Sequence, residues 1–348
     1  MKSLISGTAA IAAMLVLAGT ALAKSHPQTS LIPQLTPHPN VWLKTLRDYP
    51  SNPKPVAGHA TRRQPGPARR RPQAQHGNTL SVYEQTVKPW VLGKQGCAAA
   101  RRRESGVVVL DFGKPAYEHH GYGTILFSGR FALNHKITTA MVGWSRGYGK
   151  CLPQGSDASV SLARGTSNYH PAVPSAYAAG LRWGRATVRL QQRLHRASLD
   201  WHVTSAAADD AEPAWDRHFR KTRLFIHGFR TAAGGHTLYD YGSLDGGVGS
   251  IWSARQAFYV AGGIQHTAAL PEIYNGAMAQ EWAELAAIAR SRYHTPVRFA
   301  GVMTQGTPDC GCSLRPHQAH RALVRALASY DGPSPAVLPS GGTDIVSG

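Results

Sequence analysis

Val107-Val108-Val109-Leu110-Asp111-Phe112-Gly113 decides the reading of the fold. A strand with one face in water alternates apolar with polar residues. An unbroken apolar run that stops at a turn signal is instead a strand buried on both faces, as parallel sheets contain. The rhythm returns along the chain. Further strands are expected at 158–162, 200–207, 237–241, 257–261, 270–274 and 297–304, and helices at 136–148, 175–196, 216–231, 276–293 and 316–329. Strands alternating with helices imply right-handed crossovers and a parallel sheet. The pattern predicts an α/β fold: a (β/α)8-type, TIM-like barrel over residues 106–330 with one irregular element. A doubly wound open sheet is the alternative.

Upstream, Lys2, the uncharged apolar run 9–17 and Ala21-Leu22-Ala23 read as a signal peptide (1–23) cleaved after Ala23. The run falls short of the roughly 20 residues that span a bilayer, and no later segment reaches that length. A secreted protein, extracellular or held at the cell wall, is expected. Residues 24–75 are rich in proline and arginine and lack periodicity, which predicts a disordered arm. Residues 76–105, with Val82, Val87, Trp90, Val91 and Leu92, are expected to dock on the barrel, and the Pro/Gly/Ser-rich 331–348 to form a flexible tail.

The 348 residues carry 38 Lys+Arg against 19 Asp+Glu, a net charge of +19, and 42% are hydrophobic. That apolar share excludes a wholly disordered chain or a collagen-like repeat. Between 24 and 105 stand 14 basic and 3 acidic residues, against 23 and 16 after 105, so the charge is concentrated in the leader. Such an arm suits an anionic cell-wall polymer; a solvated linker is the bland alternative. Nucleic acid is not expected as a partner, because it would rest on net charge alone in an exported protein. A monomer is expected.

Asp111, Asp210, Glu212, Asp245 and Glu272 fall at or just beyond the C-terminal ends of expected strands, where a barrel places its active site. Asp210 and Glu212 lie two apart on an extended segment, so their side chains leave one face. Like charges held close in a partly dry site raise one pKa, which equips one carboxyl to donate a proton while another stays ionised. Glycoside hydrolysis needs that pairing. Asn168, Tyr169, Trp215, Tyr241, Tyr274, Asn275 and Gln305 occupy the same strand ends, where rings stack on sugar faces and amides bind hydroxyls. Together with Asp245 and Glu272 they are the expected substrate contacts. For each ring taken singly, core packing is the competing reading. Asp216, just before a helix, reads as a cap.

Other motifs compete. Gly143-Trp144-Ser145-Arg146-Gly147 matches the nucleophile elbow of serine hydrolases, with Ser145 as nucleophile, yet Ile137, Met141 and Trp144 have helical spacing. His119 and His120 would point apart on a strand, and His317 with His320 lacks a third ligand, so no metal is expected. No cofactor is expected either, since neither a phosphate-binding Gly-x-x-x-x-Gly-Lys nor a dinucleotide fingerprint is present. Export permits disulfides, and four cysteines allow three pairings. Cys97 with Cys151 and Cys310 with Cys312 is the favoured set, with a metal site as its rival.

Leu110-Asp111-Phe112-Gly113, Ala208-Asp209-Asp210-Ala211-Glu212-Pro213, Leu238-Tyr239-Asp240-Tyr241-Gly242-Ser243, Pro271-Glu272-Ile273-Tyr274-Asn275 and Phe299-Ala300-Gly301-Val302-Met303-Thr304-Gln305 together resemble a group of secreted bacterial proteins, largely uncharacterised. Their barrel resembles the family 25 lysozyme-like glycoside hydrolases. The resemblance spans about residues 106–328 and rests chiefly on the Asp-x-Glu. It implies Glu212 as proton donor, with Asp210 and Asp111 as its catalytic partners, and a polysaccharide or peptidoglycan as substrate. Two departures stand out. The last expected strand ends in Thr304-Gln305 where that family adds an acid, leaving Asp309 as the substitute, and Ala208 occupies the first acid position of a chitinase-like Asp-x-Asp-x-Glu. A non-catalytic glycan-binding barrel is therefore the alternative function.

Overall fold

In the computed structural model the described residues are 78–170, 173–305, 312, 314–330 and 341–348. The expected signal peptide and arm, the stretch 331–340, Asp309 and Cys310 lie outside them. In chain order come β1 (Thr79–Tyr83), α1 (Pro89–Arg101), β2 (Gly106–Asp111), β3 (Lys114–Glu118), β4 (Gly121–Ile125) and β5 (Phe131–Leu133). Next are α2 (Asn134–Cys151), β6 (Val160–Ser167), α3 (Ala176–Arg196), β7 (Val203–Asp210), α4 (Arg220–Ala232) and β8 (Leu238–Asp240). The series ends with α5 (Ala254–Val260), β9 (Thr267–Ala269), α6 (Gly276–Tyr293), β10 (Met303–Gln305), α7 (Pro316–Ser329) and β11 (Thr343–Ser347).

Eight strands form one sheet in the order β10-β11-β1-β2-β6-β7-β8-β9. Every pairing in it is parallel. Neighbours follow chain order, with the last strand, β11, beside the first. Between β9 and β10 two isolated parallel bridges, Ala269 to Phe299 and Glu272 to Met303, take the place of a ladder. The sheet curls into a barrel-like form. A separate antiparallel sheet, β3-β4-β5, is inserted between β2 and α2. Among the described residues no helix is long and apolar enough to cross a membrane.

Period-two alternation sorts the strand side chains. Val109, Ala163, Ala206, Ala208, Tyr241, Leu270, Met303 and Ile345 share one buried cluster. Val108, Leu110, Leu162, Val203 and Ala207 pack instead with the helices. The alanines of β6 and β7 leave room that tyrosines from β8 and the residue after it fill. Tyr239 donates to Ser161 Oγ at 3.0 Å, and the Tyr241 hydroxyl reaches the Thr166 carbonyl at 3.1 Å.

Outside the sheet, glycines set how close the helices come. A Cβ at Gly147 of α2 would lie 1.9 Å from the Gly93 carbonyl oxygen of α1, and one at Gly180 of α3 would lie 1.9 Å from that of Phe225 in α4. The Cys97–Cys151 disulfide, which the sequence predicts, ties α1 to the end of α2. Cys312 is oxidised as well.

Several expectations are corrected. Residues 76–105 do not merely dock: they supply β1 and α1. The tail is not wholly loose, since β11 sits between two sheet neighbours. Residues 257–260 are helical, because Ser253 and Gln256 form a capping box that starts α5 at Ala254, and Ala261 is its C-cap. Gly143 and Gly147 are helix-contact residues, and buried Ser145 donates to the Met141 carbonyl at 2.9 Å inside α2, so no nucleophile elbow exists there. His119 and His120 have φ of 49° and 57° and make the two-residue turn between β3 and β4.

Gly147→Ala is expected to lower unfolding free energy by about 1–3 kcal/mol through overpacking. Gly276→Ala, at the first residue of α6, where a Cβ meets nothing within 4 Å, is expected to be neutral or stabilising. Urea titration followed by circular dichroism separates the two.

Candidate active site

The parallel strands bring their C-terminal ends to one rim. Asp111 ends β2 and Asp210 ends β7, and the ladder pairs Asp111 with Gly165 and Ser167 with Asp210. A Cβ at Gly165 would lie 2.8 Å from Val109 Cγ1, so the absent side chain lets β2 and β6 meet and leaves space beside Asp111. Glu212 lies just beyond β7. Glu272 is held beside β10 by the bridge to Met303. Tyr83, at the end of β1, feels the charges of Glu272, Asp210, Asp111 and Glu212, which together with burial push its hydroxyl pKa upward. These groups therefore share one site.

Asn168 fixes the position of Glu212. Its backbone N–H donates to the Asp210 carbonyl at 3.0 Å, extending the β6–β7 ladder by one step. Its side-chain Nδ2 donates to the Glu212 carbonyl at 2.9 Å and to Thr222 Oγ1 at 3.0 Å, while Oδ1 accepts from the Glu212 N–H at 3.2 Å. Being fully buried with its amide committed at both ends, Asn168 is a positioning residue, not the substrate contact the sequence suggested.

Burial raises the rim carboxyls. Glu212, half-buried, is pushed up to about 7 by desolvation and then by the charge of Asp245. Glu272 reaches about 8 through burial and the charges of Glu212, Asp240 and Asp245, although Tyr274 donates to it. Asp210 is raised by burial and then by Glu272, Glu212 and Asp111; its Oδ1 has no hydrogen-bond partner. Asp111 is raised least, to about 6. The Gly113 N–H donates to its Oδ1 at 2.8 Å. The Tyr241 hydroxyl, whose own hydrogen bond goes to the Thr166 carbonyl, lies close enough to hold Asp111 down as well. Both contacts favour the ionised form. Asp111 is accordingly the rim carboxyl best kept as an anion at neutral pH.

The remaining expected site residues divide. Tyr169 and Trp215 are 43% and 40% exposed, with ring centroids 6.3 Å apart, and stay available at the surface. Lys114 of β3 stands over the Tyr169 ring at 5.5 Å. Tyr274 is partly exposed and bonded to Glu272, and Gln305 ends β10. Tyr241 is fully buried and belongs to the interior packing. Asp245 ties the loop after Glu212, accepting from the Ala214 N–H at 2.6 Å and from Ser243 Oγ at 2.8 Å. Asn275 caps α6, its side chain accepting from the Met278 N–H at 3.0 Å. Those last two each satisfy a backbone donor. The helix expected from 216 starts at Arg220, with Phe219 as its N-cap residue, and Asp216 serves its first turn from outside, accepting from the Thr222 N–H at 2.8 Å.

Four groups escaped the sequence reading: Tyr83, Glu84, Asp209 and Asp240. Alternation in Thr79-Leu80-Ser81-Val82-Tyr83 was the available signal for the first two. Glu84 is buried against Gln95 of α1 and is raised to about 8 by desolvation, with Asp111 adding to the rise. Asp209 and Asp240 are register partners on β7 and β8. Burial, then each other's charge in the case of Asp209, raises both, Asp240 to about 7. No family model, curated protein or solved structure matches the chain.

Each of these carboxyls binds its proton more tightly folded than unfolded. The stability this confers is fully present below about pH 4 and is lost as pH rises through the folded values of about 6 to 8. Glu84→Gln is therefore expected to leave stability unchanged near pH 4 and to raise it by more than about 1 kcal/mol near pH 9. Urea midpoints measured across that range check the crossover.

Proposed function

We propose that the chain is a secreted, glycoside-hydrolase-like protein acting on a cell-wall or extracellular polysaccharide by carboxylate acid/base catalysis. The observation carrying this reading is Glu212. It is the rim carboxyl that combines partial exposure, a pKa of about 7 and a backbone clamped by Asn168. In the proposed reaction the protonated Glu212 donates to the glycosidic oxygen as the bond to the anomeric carbon breaks. Ionised Asp111 stabilises the oxocarbenium-like centre or takes a proton from the attacking water. Asp210 and Glu272, both raised, remain largely protonated near neutrality and act as hydrogen-bond donors to hydroxyls or water. Tyr169 and Trp215 supply ring faces for the sugar.

A closed (β/α)8-type barrel belongs to the same reading. Chain-order neighbours, the β1–β11 pairing and the two bridges across the β9–β10 seam support it. So does the resemblance of the Asp-x-Glu to family 25 lysozyme-like enzymes. The disulfide agrees with an oxidising, extracytoplasmic address.

The test incubates the full chain and Glu212→Gln with peptidoglycan and a panel of neutral and acidic polysaccharides and counts new reducing ends. Release is expected from the parent, reduced at least about 100-fold in the variant. The rate should rise with pH through about 6 as Asp111 ionises and fall through about 7 as Glu212 loses its proton. Undiminished release by Glu212→Gln would overturn the assignment. Saturable binding with no release would favour the non-catalytic barrel.

A further inference from the structure

Away from the acidic rim, the β3–β4 hairpin, the start of α2 and one face of α3 border a half-open cavity of about 370 Å³. Arg182, Arg189 and Arg193 line one wall, and His120, Tyr117 and Tyr122 the other. Spacings of seven and four residues put the three arginines on one helix face. Among the described residues none of them forms an ion pair: the pairs present are Arg102 with Glu104 and His195 with Asp200. Arg193 reaches only a neutral partner, Thr139 Oγ1, at 3.0 Å.

Behind the cavity wall, Arg164 of β6 is fully buried against the Trp183 ring, 4.0 Å from its centroid. Its terminal nitrogens donate to two residues of the cavity wall: Nη1 to Thr138 Oγ1 at 3.0 Å, and Nη2 to Asn134 Oδ1 at 2.8 Å and its carbonyl at 3.1 Å. Its Nε has no partner. Among the described residues no carboxylate pairs with the guanidinium. Burial and then Arg189 hold its pKa down to about 9, which still leaves it charged at neutral pH. A buried cation, three unpaired cations above it and no acid among them define a site short of negative charge.

We propose that this cavity binds an anionic sugar ligand, whose carboxylate or phosphate groups lie against Arg189 and Arg193 while a ring packs on the Tyr117–Tyr122 pair. Guanidinium forks match carboxylate and phosphate oxygens. The two tyrosine rings meet edge-on at 4.8 Å, with Tyr117 36% exposed, which offers an apolar wall next to the charge. The volume suits one or two sugar units, not a protein segment. The glycosidase reading is not needed for this site, which uses none of the rim residues. The protein would then have a second glycan contact, selective for acidic polymers.

The experiment measures binding of oligogalacturonate, for the carboxylate source, and glucose 6-phosphate, for the phosphate source, to the full chain at fixed ionic strength. Arg189→Gln/Arg193→Gln removes two charges from the cavity. Arg321→Gln/Arg325→Gln removes two exposed charges from α7 and serves as the control. The cavity variant should bind at least one of the two probes about tenfold or more weakly, as expected for two lost charge-assisted hydrogen bonds. The control should stay within about twofold of the parent by the same measure. The cavity variant's thermal midpoint should not fall below the parent's, since loss of Arg189 relieves repulsion on Arg164. Equal weakening in both variants would show general charge attraction and overturn the site. So would binding of neither probe, or tighter cavity-dependent binding of a single-stranded oligonucleotide.

Discussion

Carboxyl groups at the C-terminal rim of the sheet face one another across a partly dry space, and among the described residues no lysine or arginine pairs with any of them. In a chain carrying +19 this segregation of charge is the main constraint on the site. Desolvation and mutual repulsion then decide how many protons the rim holds. The outcome is graded. Asp111, with a backbone N–H on its Oδ1 and the Tyr241 hydroxyl nearby, is the least perturbed, while Asp210, with an unpartnered Oδ1, is pushed well upward by burial and its acidic neighbours. Glu212 falls between them and retains access to solvent.

The scaffold makes that arrangement possible through small residues. Ala163, Ala206, Ala208 and Gly165 keep the sheet interior narrow enough for Tyr239 and Tyr241 to reach across and fix β6 against β8. On the outside, Gly93 and Gly147, and Gly180 with the backbone at Phe225, let helices approach to backbone contact. Strands end in Asp111 and Asp210, Asn168 extends the ladder to Glu212 just beyond β7, and the bridge to Met303 holds Glu272 beyond β9. Charge of the opposite sign collects elsewhere, over buried Arg164 and along α3.

Much of this was legible in the chain. Val107 to Leu110 named a doubly buried strand, and Asp111, Asp210, Glu212 and Glu272 do meet at one end of the sheet. The Gly-x-Ser-x-Gly segment showed helical spacing before it showed a helix. What stayed hidden has physical causes. Thr79–Tyr83 and Thr343–Ser347 are short, lie within or beside Pro-rich stretches, and are set as strands by partners far off in sequence, each other among them. The stretch 257–261 carries apolar residues that suit a strand or a helix, and the Ser253–Gln256 capping box decided it. Asn168, Asp245 and Asn275 were read as ligand contacts from their residue types. Only hydrogen-bond geometry shows that a backbone group already occupies each.

Titration of the Glu212 side-chain carboxyl by carbon-13 NMR, assigned by comparison with Glu212→Gln, tests the account most directly. A midpoint near 7 is predicted, because desolvation and Asp245 oppose ionisation. A midpoint near the ordinary 4.5 would mean that Glu212 is solvated and ionised at neutral pH, and would contradict its role as proton donor.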